Sequence, residues 1–327
     1  MMAVAGRQDE VVFHPAGLDG QLRGAVADLQ AGRWMSTREL LARSGRDQPL
    51  RTTRSQVLAG AVARSDVLEH WAREDPGSID LAVLRARVAV LRALAAARAD
   101  HAQARPMHEA AREECWHAAR IAPADPVPWV ALLELAVLDP GRRFPEQRGG
   151  PPDRMLGEGP WWLLSQLQRR DPYSREGHHR MLRWWLRQGR SGDAWEFASW
   201  LLGHAPAGSP LRLLPLYLHV ERIRADPGGG ALLRNQWLRE PCERDTERAW
   251  AGWFLGQSSE ARSVSDLSHL AHALWAGNRK AQAAQVFEAL GALGSREPWE
   301  ALADIPGGGH DLLLNARRQS LAAASRA

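Results

Sequence analysis

The sequence predicts an all-α protein, an α–α superhelix of stacked helix pairs, on three observations. Apolar residues recur at the i, i+3, i+4 spacing of a helix face in one segment after another. Glycine and proline breaks separate these segments at short intervals. No run of alternating Val, Ile or Thr predicts a β-strand. The apolar content of 45% in 327 residues also favours a packed protein over a disordered chain.

The N-terminal part is expected to hold a flexible arm, residues 1–17, and helical repeats over residues 18–140. A weak helix pair is predicted to begin with Leu22 to Leu29 and to turn at Gly32. Farther along, a long helix rich in Ala, Leu, Val and Arg is predicted from Ser78 to about Ala99. The apolar residues of that helix keep helical spacing, which predicts one face against a core.

Residues 141–159 are predicted to form an irregular loop because they hold many glycines and prolines and few apolar residues. A loop of this length in a compact array is typical of a functional or a mobile segment. We expect it to be the most mobile interior segment. Further helical repeats are predicted over residues 160–306, and residues 307–327 are predicted to form a capping helix.

The clearest helix pair is predicted over residues 171–210. It opens with an Asp-Pro pair, and proline disfavours helix in the residue before it. Ser174 is therefore expected to cap the first helix of the pair. Gly189 is expected to end that helix, since glycine adopts the left-handed conformation without steric cost. A second helix then starts near Asp193.

The spacing of this pair resembles a tetratricopeptide repeat, a helix–turn–helix of 34 residues. Two prolines 34 residues apart bracket the pair, the second being Pro206. That family places a small residue five positions after the turn glycine, here Ala194, and an aromatic residue late in the first helix, here Trp185. The pair departs from the family at Leu182, where a small residue is usual, and at His178, where Trp is usual.

Looser copies of the same helix pair are predicted on either side of it. One contains Ala111, Ala118 and Pro123, with Trp129 at the position of the next repeat's first-helix Trp, and another runs from Leu267 to Leu290. The resemblance covers about half of the chain and implies a solenoid of stacked helix pairs, without implying a function. The Trp- and Arg-rich composition also resembles tetratricopeptide-like proteins of actinobacteria with GC-rich genomes.

Cysteine use and hydropathy predict a cytoplasmic protein with no membrane partner. Cys115 and Cys242 lie far apart and form no CxxC pair, which favours free thiols in a reducing compartment. Residues 1–20 lack the apolar core of a signal peptide. The longest apolar runs are far too short to span a bilayer.

Neither of two groups with ligand-like spacing predicts a catalytic, cofactor or metal site. Glu109, Glu113 and His117 share one helix face, but arginines nearby favour a solvated, ion-paired face over a metal site. His269 and His272 are one turn apart without the HExxH pattern of a zinc protease. Phosphate-binding and nucleophile-elbow motifs are also absent from the sequence. We therefore expect a protein that is not an enzyme and binds no cofactor or metal.

The leading functional prediction is a non-catalytic scaffold that binds another protein. Stacked helix pairs form a concave groove lined by the first helix of each pair. A groove that mixes arginine with apolar side chains suits an acidic amphipathic peptide or helix. The residues predicted to line it are Val130, Glu134, Val137, Glu176, His179, Arg183 and Leu186.

The alternative is a nucleic-acid-binding or transcription-linked regulatory factor. Residues 33–64 and 169–190 each hold seven arginines against two acidic residues. With the neighbouring tryptophans, such arginines could contact phosphates while bases stack on the rings. The simpler interpretation is a solvated helix face on which the aliphatic parts of the arginine side chains cover apolar surface. The rest of the chain carries a net negative charge, so the sequence predicts no broad basic field.

Overall fold

The computed structural model describes residues 10–226, 235–256 and 262–326, and it confirms the all-α prediction. Within these ranges there is no β-strand, and the bridge between Val12 and Leu293 is isolated. None of the helices described there combines the length and the apolar character needed to pass through a membrane. The α-helices are α1 Gly20–Gln30, α2 Met35–Ser44, α3 Gln48–Val62, α4 Val67–Glu74, α5 Ile79–Arg98, α6 Ala104–Ile121, α7 Val127–Leu135, α8 Trp161–Gln168, α9 Arg175–Leu186, α10 Ser191–His204, α11 Leu214–Ala225, α12 Cys242–Ala249, α13 Val264–Ala276, α14 Lys280–Leu290, α15 Trp299–Leu302 and α16 Gly309–Ala324.

The chain divides into two compact units. We call Asp19–Phe197 the N-terminal unit, and Ala198–Ala327 together with Met1–Leu18 the C-terminal unit. The division falls within α10, and it differs from the segments expected from sequence, which met at the loop of residues 141–159. That loop lies inside the N-terminal unit.

The expected arm falls partly outside the described residues, which begin at residue 10. The part that is described packs on the C-terminal unit. The amide of Val12 donates to the carbonyl of Ala292 at 2.8 Å, and the amide of Gly294 donates back to the carbonyl of Val12 at 3.1 Å. Val11 is buried in the apolar core of that unit. Residues 10–17 are therefore held by backbone pairing and by an apolar anchor.

Local capping signals explain the central helix pair, α9 and α10. The Ser174 hydroxyl accepts from the amide of Gly177 at 3.4 Å, which confirms Ser174 as the N-cap of α9. Gly189 has a φ of +70°, the left-handed conformation expected of a glycine after a helix. Trp185 is fully buried and Arg183 is exposed, so the two faces of α9 are oriented as predicted.

The other helix pairs form by the same rules. Asp19 caps α1 by accepting from the amide of Leu22 at 2.9 Å, and Gly32 follows α1 with a φ of +79°. The long helix predicted from Ser78 is α5, and Ser78 is its N-cap. The predicted C-terminal pair is α13 and α14, joined by a turn in which Asn278 has a φ of +59°. The first and the last of the predicted helix pairs, like the central one, are therefore present where the sequence predicted them.

Two tryptophans anchor the 141–159 loop to the N-terminal unit. The indole N–H of Trp161 donates to the carbonyl of Gly157 at 2.8 Å, and that of Trp185 donates to the carbonyl of Glu158 at 2.9 Å. Leu156 of the same loop is buried. A Cβ added to Gly157 would lie 1.8 Å from an Asp193 oxygen, so the backbone passes close to α10. The loop has few apolar residues of its own, and side chains of the neighbouring helices supply the contacts that hold it.

A buried ionic network lies at the centre of the N-terminal unit. Arg87 on α5 donates to both carboxylate oxygens of Glu176 on α9, at 3.0 and 2.8 Å. Arg180 bridges Glu176 and Glu134 at 2.8 and 2.9 Å. Arg87 also donates to the Ser55 hydroxyl at 3.0 Å. Although burial acts to raise it, the charges of Arg87 and Arg180 lower the pKa of Glu176 to about 2.

Two buried histidines predict a loss of stability in mild acid. Burial lowers the pKa of His178 to about 4 and that of His272 to about 3. Below pH 6.5 these histidines bind protons in the unfolded chain but stay neutral in the folded chain. The free energy of unfolding therefore falls as the pH drops towards 4. We expect each histidine to lower the unfolding free energy of its unit by about 2 kcal/mol between pH 7 and pH 5. Urea unfolding at the two pH values measures this.

A matched variant separates these histidines from other acid effects. His272→Gln should be less stable at pH 7 but should lose its share of the pH dependence, because glutamine does not titrate. Equal unfolding free energies for the natural protein at pH 7 and pH 5 would contradict the prediction.

Candidate functional site

The structure corrects the predicted groove. Val130 is fully buried, and Glu134 and Glu176 are buried within the ionic network, so these three residues cannot line an open surface. The reason is that α9 is covered by α3, α7 and α8, and α7 in turn by α5 and α6. Of the remaining predicted groove residues, only the last is exposed and the others are half-buried: Val137, His179, Leu186 and Arg183.

The first arginine-rich window, residues 33–64, finds its counter-charges elsewhere in the N-terminal unit. Arg51 contacts Asp80 at 2.6 Å and Asp125 at 2.7 Å, both far along the chain. Arg54 is buried and contacts Asp19 at 2.8 Å. The local excess of positive charge in the sequence is therefore balanced in three dimensions.

Two arginines of the second window, residues 169–190, pair with carboxylates of the same unit. Arg180 lies between two glutamates of the ionic network, and Arg190 contacts Asp193 at 2.8 Å. The Arg170 guanidinium lies 4.6 Å from the ring centre of Trp129 and donates to the carbonyl of Pro123. This arginine–tryptophan contact therefore joins two parts of the N-terminal unit to each other.

An open cleft of about 360 Å³ lies between α4, α5 and α6 of the N-terminal unit. We call it the α5 cleft. Its floor contains Leu68, Val88 and Ala111, one from each helix, and all three are buried. Half-buried Met107 and exposed Ala110 continue the apolar wall along α6. The cleft has the size and the apolar lining of a site for a few side chains of a partner.

Charged side chains surround this floor, and two of them have no counter-ion among the residues that the structure describes. Arg85 on α5 and Glu114 on α6 both line the cleft, and neither makes a hydrogen bond or ion pair with the described part of the chain. Arg92, in contrast, donates to the carbonyls of Ala63 and Ser65 at 2.9 and 3.0 Å. Arg85 and Glu114 are therefore the charges that a bound partner could satisfy.

The C-terminal unit holds a cluster that sequence did not predict. The Cys242 sulfur lies 3.3 Å from Nδ1 of His219, and Nε2 of His219 lies 3.0 Å from a carboxylate oxygen of Asp245. All three residues are buried. The sequence around Cys242 shows no CxxC pair and no other motif that points to this cluster. The cluster joins α11 to α12 across more than twenty residues, a separation that no local motif reports.

The predicted helix face of Glu109, Glu113 and His117 is solvent-exposed. Arg105 contacts Glu109 at 3.1 Å, and Arg112 contacts Glu113 at 3.3 Å. Within residues 10–226, 235–256 and 262–326, no group of three His, Cys, Asp or Glu side chains has the arrangement of a metal site.

No family model matches this chain, and searches of curated proteins and of solved structures found no significant match. The tetratricopeptide resemblance therefore stays a prediction from the spacing of Gly189, Ala194 and Pro206. Functional inference consequently starts from the two features described above, the α5 cleft and the Cys242 cluster.

Proposed function

We propose that this protein is a non-catalytic interaction scaffold that binds a segment of another protein in the α5 cleft. The observation that supports it is an apolar floor next to Arg85, an arginine that pairs with no acidic side chain among the described residues. Apolar floors give most of the binding free energy in helix-in-groove recognition, while charged groups at the rim fix orientation and specificity. Free, buried Cys115 and Cys242 support a reducing, cytoplasmic setting for the scaffold.

The expected partner is an amphipathic helix or peptide with an acidic residue beside its apolar face. Its apolar side chains would cover Leu68, Val88 and Ala111, and its carboxylate would pair with Arg85. A basic residue on the same segment would reach Glu114. The cleft accommodates only a few large side chains, so the contact would be short and its affinity modest.

The cleft is tested by capture of partners from a lysate of the native cell with tagged variants. Arg85→Glu reverses the unmatched charge, and Ala110→Trp fills the cleft from an exposed position. Both should remove proteins that the natural chain captures. Arg183→Glu is the matched control, an exposed arginine of the same unit outside the cleft, and it should keep them.

Salt separates this proposal from the nucleic-acid alternative. Binding through an apolar floor should persist between 50 mM and 200 mM salt, whereas binding to several phosphates should fall by orders of magnitude. Retention of all captured proteins by Arg85→Glu and Ala110→Trp would contradict the α5 cleft as the binding site. Capture that depends on nucleic acid and disappears with salt would favour the alternative.

A further inference from the structure

Cys242, His219 and Asp245 have the mutual geometry of an activated thiol. Nδ1 of His219 is 3.3 Å from the Cys242 sulfur, within reach for a sulfur hydrogen bond. Nε2 of the same ring is 3.0 Å from an Asp245 oxygen. The carboxylate accepts the Nε2 proton, which leaves the lone pair of Nδ1 directed at the thiol. A nucleophile, a base and a group that orients the base are thus in line.

The position of Cys242 on its helix adds a second favourable factor. Cys242 is the first residue of α12, and Asp245 lies one turn farther along. Backbone N–H groups at a helix N-terminus stabilise a thiolate as it forms. Burial acts the other way and raises the pKa of Cys242 to about 12. The resting thiol is therefore protonated, and its proton must leave during the attack, so that a base within reach governs the rate.

Cys115 provides a built-in comparison. It is as fully buried as Cys242, and burial raises the pKa of its thiol as well. Within the described part of the chain, the hydrogen-bond partner of its sulfur is a backbone carbonyl, that of Ala86, at 4.0 Å. A carbonyl oxygen does not act as a base towards a thiol. The two cysteines of this chain thus share burial and differ in the presence of a base.

We propose that Cys242 is a peroxide-reactive thiol, with His219 as its proton acceptor and Asp245 as the positioning residue. The reagent class follows from the surroundings. Trp237 packs edge-on against His219 at 5.7 Å, and the Gln236 amide donates to the His219 carbonyl at 3.4 Å. Because all three residues are buried, the reagent class is the smallest oxidants, since these reach buried groups most readily through local openings. Hydrogen peroxide has only two heavy atoms. The proposal is independent of the α5 cleft.

The reaction balances with peroxide as the only co-reactant. The Cys242 proton moves to Nδ1 of His219, and the sulfur attacks one peroxide oxygen. The O–O bond breaks as the S–O bond forms, and the leaving hydroxide takes the proton from His219 to become water. Sulfur is oxidised by two electrons to a sulfenic acid, and the peroxide is reduced. His219 and Asp245 end in their starting states.

The test compares both cysteines in the same folded molecule. The natural protein is treated with hydrogen peroxide, quenched with catalase, unfolded and alkylated with iodoacetamide. Mass spectrometry of the two cysteine peptides then gives the fraction of each thiol consumed. We expect Cys242 to react at least about ten-fold faster than Cys115, since a positioned base contributes a factor of this size or more. Equal rates, or a faster Cys115, would overturn the proposal without any substitution.

Two variants test the roles of the partners. His219→Gln removes the base and keeps a polar side chain, and Asp245→Asn removes the charge that orients the ring. Each should slow oxidation of Cys242 about ten-fold or more and leave Cys115 unchanged. Destabilisation of the C-terminal unit alone acts in the opposite direction, since it would expose Cys242 and speed its oxidation. Variants that fold, as judged by circular dichroism, and still oxidise Cys242 at the natural rate would overturn the assigned roles. If either variant unfolds, the natural-protein comparison and the other variant decide.

Discussion

Replacing Trp185 with alanine is expected to lower the unfolding free energy of the N-terminal unit by about 3–5 kcal/mol. The side chain is fully buried, and its ring packs 5.0 Å from that of Phe197 and 5.5 Å from that of Trp161. Truncation loses this contact area and leaves a cavity. It also orphans the carbonyl of Glu158, which accepts the indole N–H at 2.9 Å. Packing and loop anchoring are lost together.

The matched control is Arg183→Ala, two residues away on the exposed face of the same helix. We expect it to change the unfolding free energy by no more than about 0.5 kcal/mol, as is usual for surface positions. Urea unfolding of both variants, followed by tryptophan fluorescence and by circular dichroism, makes the comparison. Equal losses, or a larger loss for Arg183→Ala, would show that the inner and outer faces of α9 are reversed.

Replacing Glu176 with glutamine is expected to cost a similar amount, about 3–5 kcal/mol, because it leaves Arg87 buried with an uncompensated charge. The Arg87 side chain is 3% exposed and the Glu176 side chain 7% exposed. Glutamine has the shape of glutamate and keeps part of its hydrogen bonding. The loss of unfolding free energy therefore measures the effect of removing the negative charge. Equilibrium unfolding at pH 7 measures it.

The double variant Arg87→Met/Glu176→Leu tests whether charge burial is the cause. With both ions replaced by apolar groups of similar volume, no buried charge is left unmatched. We expect it to be more stable than Glu176→Gln alone. A Glu176→Gln variant as stable as the natural protein would contradict the structural role of the network. A double variant less stable than Glu176→Gln would show that hydrogen bonds to Ser55 and Arg180 dominate instead.

Helices, caps and turns were predictable because their signals are local. Ser174 and Gly189 act within a few residues of their own positions, so the sequence around them carries the needed information. The buried and exposed faces of α9 followed from helical spacing in the same way. Such rules apply whether or not the pair belongs to a known repeat family.

The groove was not predictable because its residues are covered by distant parts of the chain. Glu176 has the charge and spacing of a surface residue, yet it pairs with Arg87, 89 positions away. The Cys242 cluster was missed for the same reason, since no motif links it to His219. The α5 cleft forms between three helices and has no signature in any one of them. The burial of the predicted groove, the Cys242 cluster and the α5 cleft all depend on packing between segments that are far apart in sequence.

Binding of a protein segment in the α5 cleft is tested most directly by site-specific photo-cross-linking in the native cell. A benzophenone side chain at Ala110, which is exposed on the cleft wall, should form covalent adducts with a partner protein. The same group at exposed Arg187, the residue that follows α9, should not form them. The Ala110 adducts should disappear when Arg85→Glu is added. Adducts of equal yield at both positions, or adducts at Ala110 that survive Arg85→Glu, would contradict binding in the cleft, as would their absence at Ala110.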